Sequence, residues 1–461
     1  MIIDSKDQKQ SLFHYFIKGE AAKRVYDVIA TSFGLLNSFL VITYLSVFHF
    51  GLYQLVLSFV AILESFNVGL LETIVVVEMR RAFNIGRREI AKRLFLEHTV
   101  AKLALALIIT ALIFFSANLI AERYSENIGL FIKIASALVL IRSLQSLETT
   151  FFQSVVAWTH WSFPSIREIV KLGLLLVFLA QPPFTILDVL LAHVGGELLA
   201  LLSVSIFGFI RRYRRAFQAV AFAKEFLLAR LIKERGWWVL VRYGFSKITK
   251  NTMPWFIKFF INTEAVAFYA LSINLVSFVE SVMPLTTIGP IFMLKADQRE
   301  TLSFIFKRSA KYVFWLGVLV AAVAVLAVPP LLVFLFPKYL PAVPLVYLLL
   351  LALPLYGVYK LLKIILSVLR EDRILAFRVI NEVLVIPIGA VICLPLFGLV
   401  GAGFVYLATY LERVWFFYGQ LVKKYPDFRV KPRMLFSIDD TDRQYFIKTL
   451  ERGRNFFKRV F

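Results

Sequence analysis

The chain is almost without cysteine: Cys393 is the only one, so no intrachain disulfide can form and redox compartment is not readable. Histidine is scarce as well. His14, His49, His98, His160 and His193 show none of the spacings that metal ligands need, so no metal or other cofactor is expected. Charged residues make up 18% of the chain, against about a quarter in a soluble domain. Acidic residues are the scarcer sign, with 30 Asp and Glu against 52 Lys and Arg. Met1 to Lys23 is polar and amphipathic and holds no short apolar run ending in small residues, so no cleavable signal peptide is expected. No connection between apolar runs is long enough for a soluble catalytic domain. No nucleophile–base pair or phosphate loop is legible either, and the expectation is a non-enzyme. Gly398-Leu-Val-Gly401-Ala-Gly403 lacks the strand and βαβ context of a dinucleotide loop, and fits a close helix contact better.

What is present is apolar sequence in long runs. Hydrophobic residues make up 59% of 461, and the mean hydropathy is +0.76. Runs of twenty or more residues, each able to span ~30 Å of hydrocarbon, recur throughout. They predict an all-α polytopic membrane protein with twelve spans, at roughly 24–48, 51–78, 99–121, 128–157, 163–181, 186–210, 237–261, 265–292, 311–336, 341–369, 373–395 and 398–422.

Alternate connections divide sharply by charge. One set holds Arg80, Arg81, Arg87, Arg88, Lys92 and Arg93, then Arg211, Arg212, Arg214 and Arg215, and further Lys and Arg onward, together with both termini. The opposite set holds only Arg123, Lys133 and Lys338. Lys/Arg bias of this kind places both termini in the cytoplasm, with the plasma (inner) membrane of a prokaryote as the expected location. It also accounts for most of the net charge of +22 as loops beside anionic lipid, with no need for nucleic acid.

The chain repeats itself. Tyr53, ten residues, then Glu64-Ser65 is matched by Tyr269, ten residues, then Glu280-Ser281, an offset of 216. The same offset carries the first six spans onto the last six. The expected organisation is an N-terminal segment 1–23, a six-helix bundle 24–210, a basic connector 211–236 lying as helix along the membrane surface, a second bundle 237–422, and a basic tail 423–461. Six is an even number, so the bundles are parallel repeats, and substrate sites in such folds lie between them.

The spans contain cations. A Lys or Arg near the bilayer centre costs a few kcal/mol and normally faces a bundle interior or a wet cavity. Lys247, Lys250 and Lys258 fall within about 80° of one helix face, and Lys360 and Lys363 share another. Arg142, Lys171 and Arg413 are also deep, so the candidate substrate contacts are Arg142, Lys171, Lys247, Lys250, Lys360, Lys363 and Arg413. Snorkelling to the interface is expected of Lys102; for Lys258, Arg242 and Arg378 both readings stay open. Among the acids Glu72, Glu148, Glu168, Glu197, Glu382 and Glu412, pairing with these cations is preferred to ion coupling. Glu64 and Glu280, at equivalent repeat positions, are candidate coupling or gating residues. Pro254, Pro284, Pro354 and Pro387 should bend their helices.

Several motifs carry a family resemblance. Ala267-Phe-Tyr-Ala-Leu, then Glu280-Ser-Val-Met-Pro284-Leu and Pro290, resembles the seventh and eighth helices of polysaccharide flippases of the multidrug/oligosaccharidyl-lipid/polysaccharide exporter superfamily. Leu335-Phe336-Pro337-Lys-Tyr339-Leu-Pro-Ala342 resembles that family's outer turn between helices nine and ten, with Pro337 where a glycine is usual. Phe397-Gly398-Leu-Val-Gly401-Ala402 resembles the turn before helix twelve, and Phe50-Gly51-Leu-Tyr53 the start of helix two. The resemblance implies an alternating-access flippase for a polyprenyl-pyrophosphate-linked oligosaccharide. It implies contacts with membrane lipids and association with a polysaccharide polymerase and glycosyltransferases. A multidrug-type, cation-coupled exporter of the same superfamily would need an acidic cavity. A membrane-embedded polymerase or ligase would need a large outer loop that is absent. A scaffold role in glycan assembly is a third alternative.

Overall fold

In a computed structural model the chain is helical wherever it is regular. The described residues are 5–67, 71–124, 128–155, 162–218, 220–223, 225–233, 237–283 and 298–436, with 157 and 292. Within helices, the side chains of 5–22, 237–247 and 250 lie outside the description.

The spans follow in order. They are α1 Ser5–Tyr44, α2 Val47–Glu64, α3 Leu71–Asn84, α4 Arg88–Tyr124, α5 Ile128–Ser154, α6 Ser162–Leu179 and α7 Ile186–Val204. A π-turn at Ser205–Phe209 leads into α8 Ile210–Phe217, followed by α9 Leu228–Leu231. The second half gives α10 Trp237–Phe260, α11 Thr263–Val282, α12 Arg299–Leu335, a 3₁₀ turn Pro337–Ala342, α13 Val343–Leu351, α14 Leu353–Val368, α15 Asp372–Phe397, α16 Leu399–Lys424 and α17 Pro432–Phe436. Taking α2 with α3 and α13 with α14, these are the twelve expected spans. Nine pass a test of length and hydropathy, counting the bent pair once, among the described residues. The other three, α6, α10 and α16, carry ionisable residues in mid-helix, such as Arg167 and Lys171, Lys247 and Lys250, and Arg413.

Local chemistry sets the ends. The Ser46 hydroxyl accepts from the His49 N–H and starts α2. Asp188 accepts from the N–H and hydroxyl of Thr185 and starts α7. The bend expected at Pro354 is present: the chain turns by 43° between α13 and α14. Pro387 lies inside α15 and Pro254 inside α10, while Pro284 lies outside the described residues. Exposed Phe115, Phe334 and Trp415 are what a lipid-facing surface requires and a watery one would not keep.

The chain forms two compact units, Met1–Val276 with Ala327–Leu349 and Ala376–Thr409, and Ser277–Leu326 with Leu350–Leu375 and Tyr410–Phe461. In the first, α4 packs on α5, α6 on α7, α1 on α6, and α10 on α2. The α2–α11 approach is at van der Waals limit, since a Cβ on Gly51 would overlap the Thr263 carbonyl. The turn Pro337–Ala342 ties in here as well. Lys338 Nζ donates to the carbonyls of Thr43 at 2.9 Å and Leu45 at 2.6 Å, closing the end of α1. The buried Tyr339 ring packs edge-on against Phe50, Phe268 and Phe336. Gly401 similarly lets α16 meet the backbone at Cys393, the close contact expected of that glycine run.

In the second unit, Gly317 and Gly357 bring α12 against α14. The end of α16 is clamped: Glu371 accepts from Lys424 Nζ at 2.5 Å and Tyr425 Oη at 2.6 Å, and Asp427 pairs with Arg299 at 3.0 Å.

The connector departs from expectation. Among its described residues, α8, α9 and the two residues after α9 are helical, while Gln218 turns extended at ψ 130° and the backbone between them is held by α4. The tail expected to form a surface helix lies outside the described residues beyond Phe436.

Two predictions follow from these contacts. Gly51→Leu should lower the melting temperature in detergent by several degrees, as overpacking costs about 1–3 kcal/mol; Gly173→Ala, with nothing within 4 Å of its Cβ, should not lower it. The second concerns Glu371. Burial alone would raise its pKa, but the bonds from Lys424 and Tyr425 outweigh this and hold it below 4.5. Its contribution is therefore complete above the unfolded value and is lost as pH falls through the folded one. The melting-temperature gap between wild type and Glu371→Gln should be constant above about pH 5 and close in more acid solution.

Candidate functional site

The expected cations and acids fall into two groups, one in each unit. The first is built by α1, α2, α5, α6 and α7. Its hub is Arg142 on α5, whose guanidinium Nη1 donates to Glu64 Oε2 at 3.1 Å, Nε to Glu197 Oε1 at 3.2 Å, and Nη2 to His193 Nε2 at 3.2 Å. Arginine cannot accept, so the geometry assigns His193 Nε2 as acceptor, and Nδ1–H donates to Tyr53 Oη at 2.9 Å. Glu197 also accepts from Gln145 at 3.0 Å and Arg167 Nη1 at 3.4 Å. Arg167 in turn holds Glu168 at 2.8 Å, which accepts from Asn37 Nδ2 of α1 at 2.8 Å.

The sequence permits this because α6 and α7 approach closely at Gly196. A Cβ there would come within 3.0 Å of the Arg167 carbonyl oxygen and 3.2 Å of Lys171 Cβ. Lys171 is one turn beyond Arg167, on the same face. Among the described residues it makes no hydrogen bond or ion pair. Every carboxylate of the group already holds an arginine, and the one uncommitted charge is an ammonium.

Two smaller pairs lie in the same unit. Lys102 bonds Glu72 and Ser146 and is only 2% exposed. This corrects the snorkelling expectation: Glu72 of α3 supplies a partner at depth, so the ammonium need not reach water. Arg378 is equally buried and pairs with Glu382 one turn on. Both outcomes favour the pairing role expected of the acids.

The second group lies on α11, α14 and α16. Arg413 stacks between the rings of Tyr359 at 5.0 Å and Tyr410 at 4.4 Å. Tyr359 stacks on Phe417 at 5.8 Å with the rings nearly parallel. Lys360 lies 5.2 Å from the Tyr356 ring, and Tyr356 hydrogen-bonds Glu280. Lys363 is three residues on from Lys360, and both are half-buried. Glu64 and Glu280, equivalent in the repeat, thus have different partners: an arginine in one half and a tyrosine hydroxyl in the other.

The side chains of Arg242, Lys247 and Lys250 lie outside the described residues. Lys258 donates to the Thr263 hydroxyl at 2.6 Å. Arg167, His193, Tyr53, Gln145 and Asn37 are site residues that the sequence reading missed. A usable signal was present, as Arg167 and Lys171 on α6, and His193 and Glu197 on α7, are i, i+4 pairs of polar groups on otherwise apolar helices.

No protein-family model matches this chain, and no curated protein matches it in sequence. Solved structures match it in fold. An inward-facing multidrug resistance MATE family transporter of the MOP superfamily superposes at TM-score 0.70, with 12% identity over 86% of this chain and 96% of that one. A MOP superfamily transporter from Pyrococcus furiosus, described by a binding pocket of reversed polarity, superposes at 0.62 with 12% identity, covering 92% and 96%. The lipid II flippase MurJ in an inward closed conformation superposes at 0.60 with 13% identity, covering 90% and 89%. At such identities the likeness is one of fold. The chain is a multi-pass membrane protein with an all-helical, twelve-span fold like that of the MATE transporters.

Proposed function

We propose that this protein is a flippase that carries a polyprenyl-pyrophosphate-linked oligosaccharide from the cytoplasmic to the outer leaflet, by alternating access of its two six-helix halves. The host membrane would be the inner membrane of a prokaryote, with both termini in the cytoplasm. The observation that carries the reading is Lys171. It stands uncommitted in a polar group where Glu64, Glu168 and Glu197 are each held by Arg142 or Arg167. An anion entering that group meets an available ammonium, while an organic cation meets no open carboxylate. Lys360, Lys363 and Arg413 extend the cationic inventory in the other unit, and Lys247 and Lys250 belong to the proposal by their positions in α10. A lipid pyrophosphate needs several such partners.

The observation favouring a multidrug-type exporter is the fold match to a MATE transporter at TM-score 0.70. The two readings differ in the sign of the cargo. Reconstituted protein should move a lipid-linked oligosaccharide between leaflets and should not accumulate an organic cation dye. The opposite result overturns the flippase reading.

Arg142 and Lys171 should then separate. Lys171→Ala should slow flipping about tenfold or more, the value of one charge-assisted hydrogen bond, with an unchanged melting temperature and substantial rescue by Lys171→Arg. Unchanged flipping would remove Lys171 from the site. Arg142→Met should instead destabilise the protein by about 3–5 kcal/mol, because Glu64 loses its arginine and Glu197 keeps only the 3.4 Å contact with Arg167. Adding Glu64→Gln and Glu197→Gln should restore most of the lost melting temperature.

A further inference from the structure

The connector between the halves is strapped to the start of α4 by three consecutive-turn side chains. Lys92 Nζ donates to the Val220 carbonyl at 2.5 Å and sits 4.4 Å above the Phe222 ring. The Arg93 guanidinium lies 4.6 Å above the Phe226 ring and pairs with Glu97 at 2.7 Å. The other oxygen of Glu97 accepts the backbone N–H groups of Leu227 and Leu228, at 3.0 and 2.8 Å. Extended backbone that would otherwise wander is therefore fixed.

This fixed strap keeps its aromatics outside. Phe222 is 49% and Phe226 75% exposed, although each has a cation on one face. Just before it, α8 is two-sided. Phe209, Tyr213 and Phe217, spaced by four, pack into the rings of Phe95 and Phe151. Arg211, Arg214 and Arg215 lie off this face and are exposed, while the exposed Arg212 sits 5.6 Å over the Phe152 ring at its flank. These aromatics hold the helix in place, and the exposed Arg211, Arg214 and Arg215 precede the two exposed phenylalanines by less than sixteen residues, at the ends of the apolar helices α4 and α7. Water alone does not reward the display of Phe226, whereas the headgroup–acyl boundary takes an aromatic ring beside a cation.

We propose that this face, α8 together with the strap residues 220–223 and 225–228, docks on the bilayer and binds anionic phospholipid headgroups on the side of the basic connections. The phenylalanines enter the interface and the arginines take the phosphates. The occupant is argued from charge: among the described residues of 211–233, Glu225 is the only acid against Arg211, Arg212, Arg214, Arg215, Arg230 and Lys233. The inference is independent of what the protein transports.

The sole cysteine makes the test direct. In a Cys393→Ser background, a spin label is placed on Phe226→Cys in full-length protein in nanodiscs. Power saturation should show access to oxygen over a water-soluble nickel chelate. The same protein in discs of mixed phosphatidylcholine and phosphatidylglycerol should enrich phosphatidylglycerol. Each of Arg211→Ala, Arg214→Ala and Arg215→Ala should cut that enrichment up to about fivefold, the effect of one basic residue near the surface. A label open to the nickel chelate, or enrichment unchanged in the triple variant, overturns the proposal and leaves the face as a contact for a soluble protein.

Discussion

A charge buried in hydrocarbon must have a partner, and most of the first unit follows from meeting that condition at Arg142. Its three nitrogens are directed at three different side chains on α2 and α7, so α2, α5 and α7 are fixed at one depth and one rotation. Glu197 then needs a second donor and takes Arg167 of α6. Arg167 needs a second acceptor and takes Glu168, which is anchored by Asn37 of α1. Five helices are joined by one network. The sixth, α4, is joined to α3 and α5 by Lys102, Glu72 and Ser146. Buried ion pairs are weak sources of net stability. Their value here is specification: an apolar core of the same volume would let these helices slide and rotate.

The repeat duplicates the scaffold and not the electrostatics. Glu64 and Glu280 correspond at the offset of 216. So do Glu197 and Arg413, and so do Arg142 and Val358. In the first half an arginine on α5 meets acids on α2 and α7. In the second half Arg413 stands at the position equivalent to Glu197, and it packs against the rings of Tyr359 and Tyr410. The same repeated geometry thus carries different side chains at equivalent positions in its two halves.

How much of this was readable from the chain depends on distance along it. The spans were readable because ~20 apolar residues are needed to cross a bilayer and that length is written in consecutive residues. The bend at Pro354 and the close approach at Gly401 were readable because a ring or a missing Cβ acts locally. The pairing of Lys102 was not, since its partner Glu72 lies 30 residues away and only the rotation of α3 brings it in. The connector misled for the same reason. Its basic, amphipathic composition favours a surface helix, but Lys92 and Glu97 satisfy its backbone from α4, and the local preference loses to a non-local bond.

Lys171 is where this reasoning bears on cargo. An ammonium without a carboxylate partner is tolerated inside a membrane protein only where water or an anion can reach it. It stands on the same face as Arg167, which shows that α6 could have supplied it a partner. Glu168 and Glu197 are both close, and both are held by arginine, whose planar fork binds a carboxylate with two donors where a lysine offers a point charge. Arginine therefore outcompetes lysine for the fixed acids, and on the proposed reading lysine is left for an exchangeable one. A site meant for an organic cation would keep the reverse arrangement, with fixed cations few and a carboxylate open. The identity of the uncommitted group, more than the total charge, is what distinguishes a transporter of lipid phosphates from an exporter of cations on this shared fold.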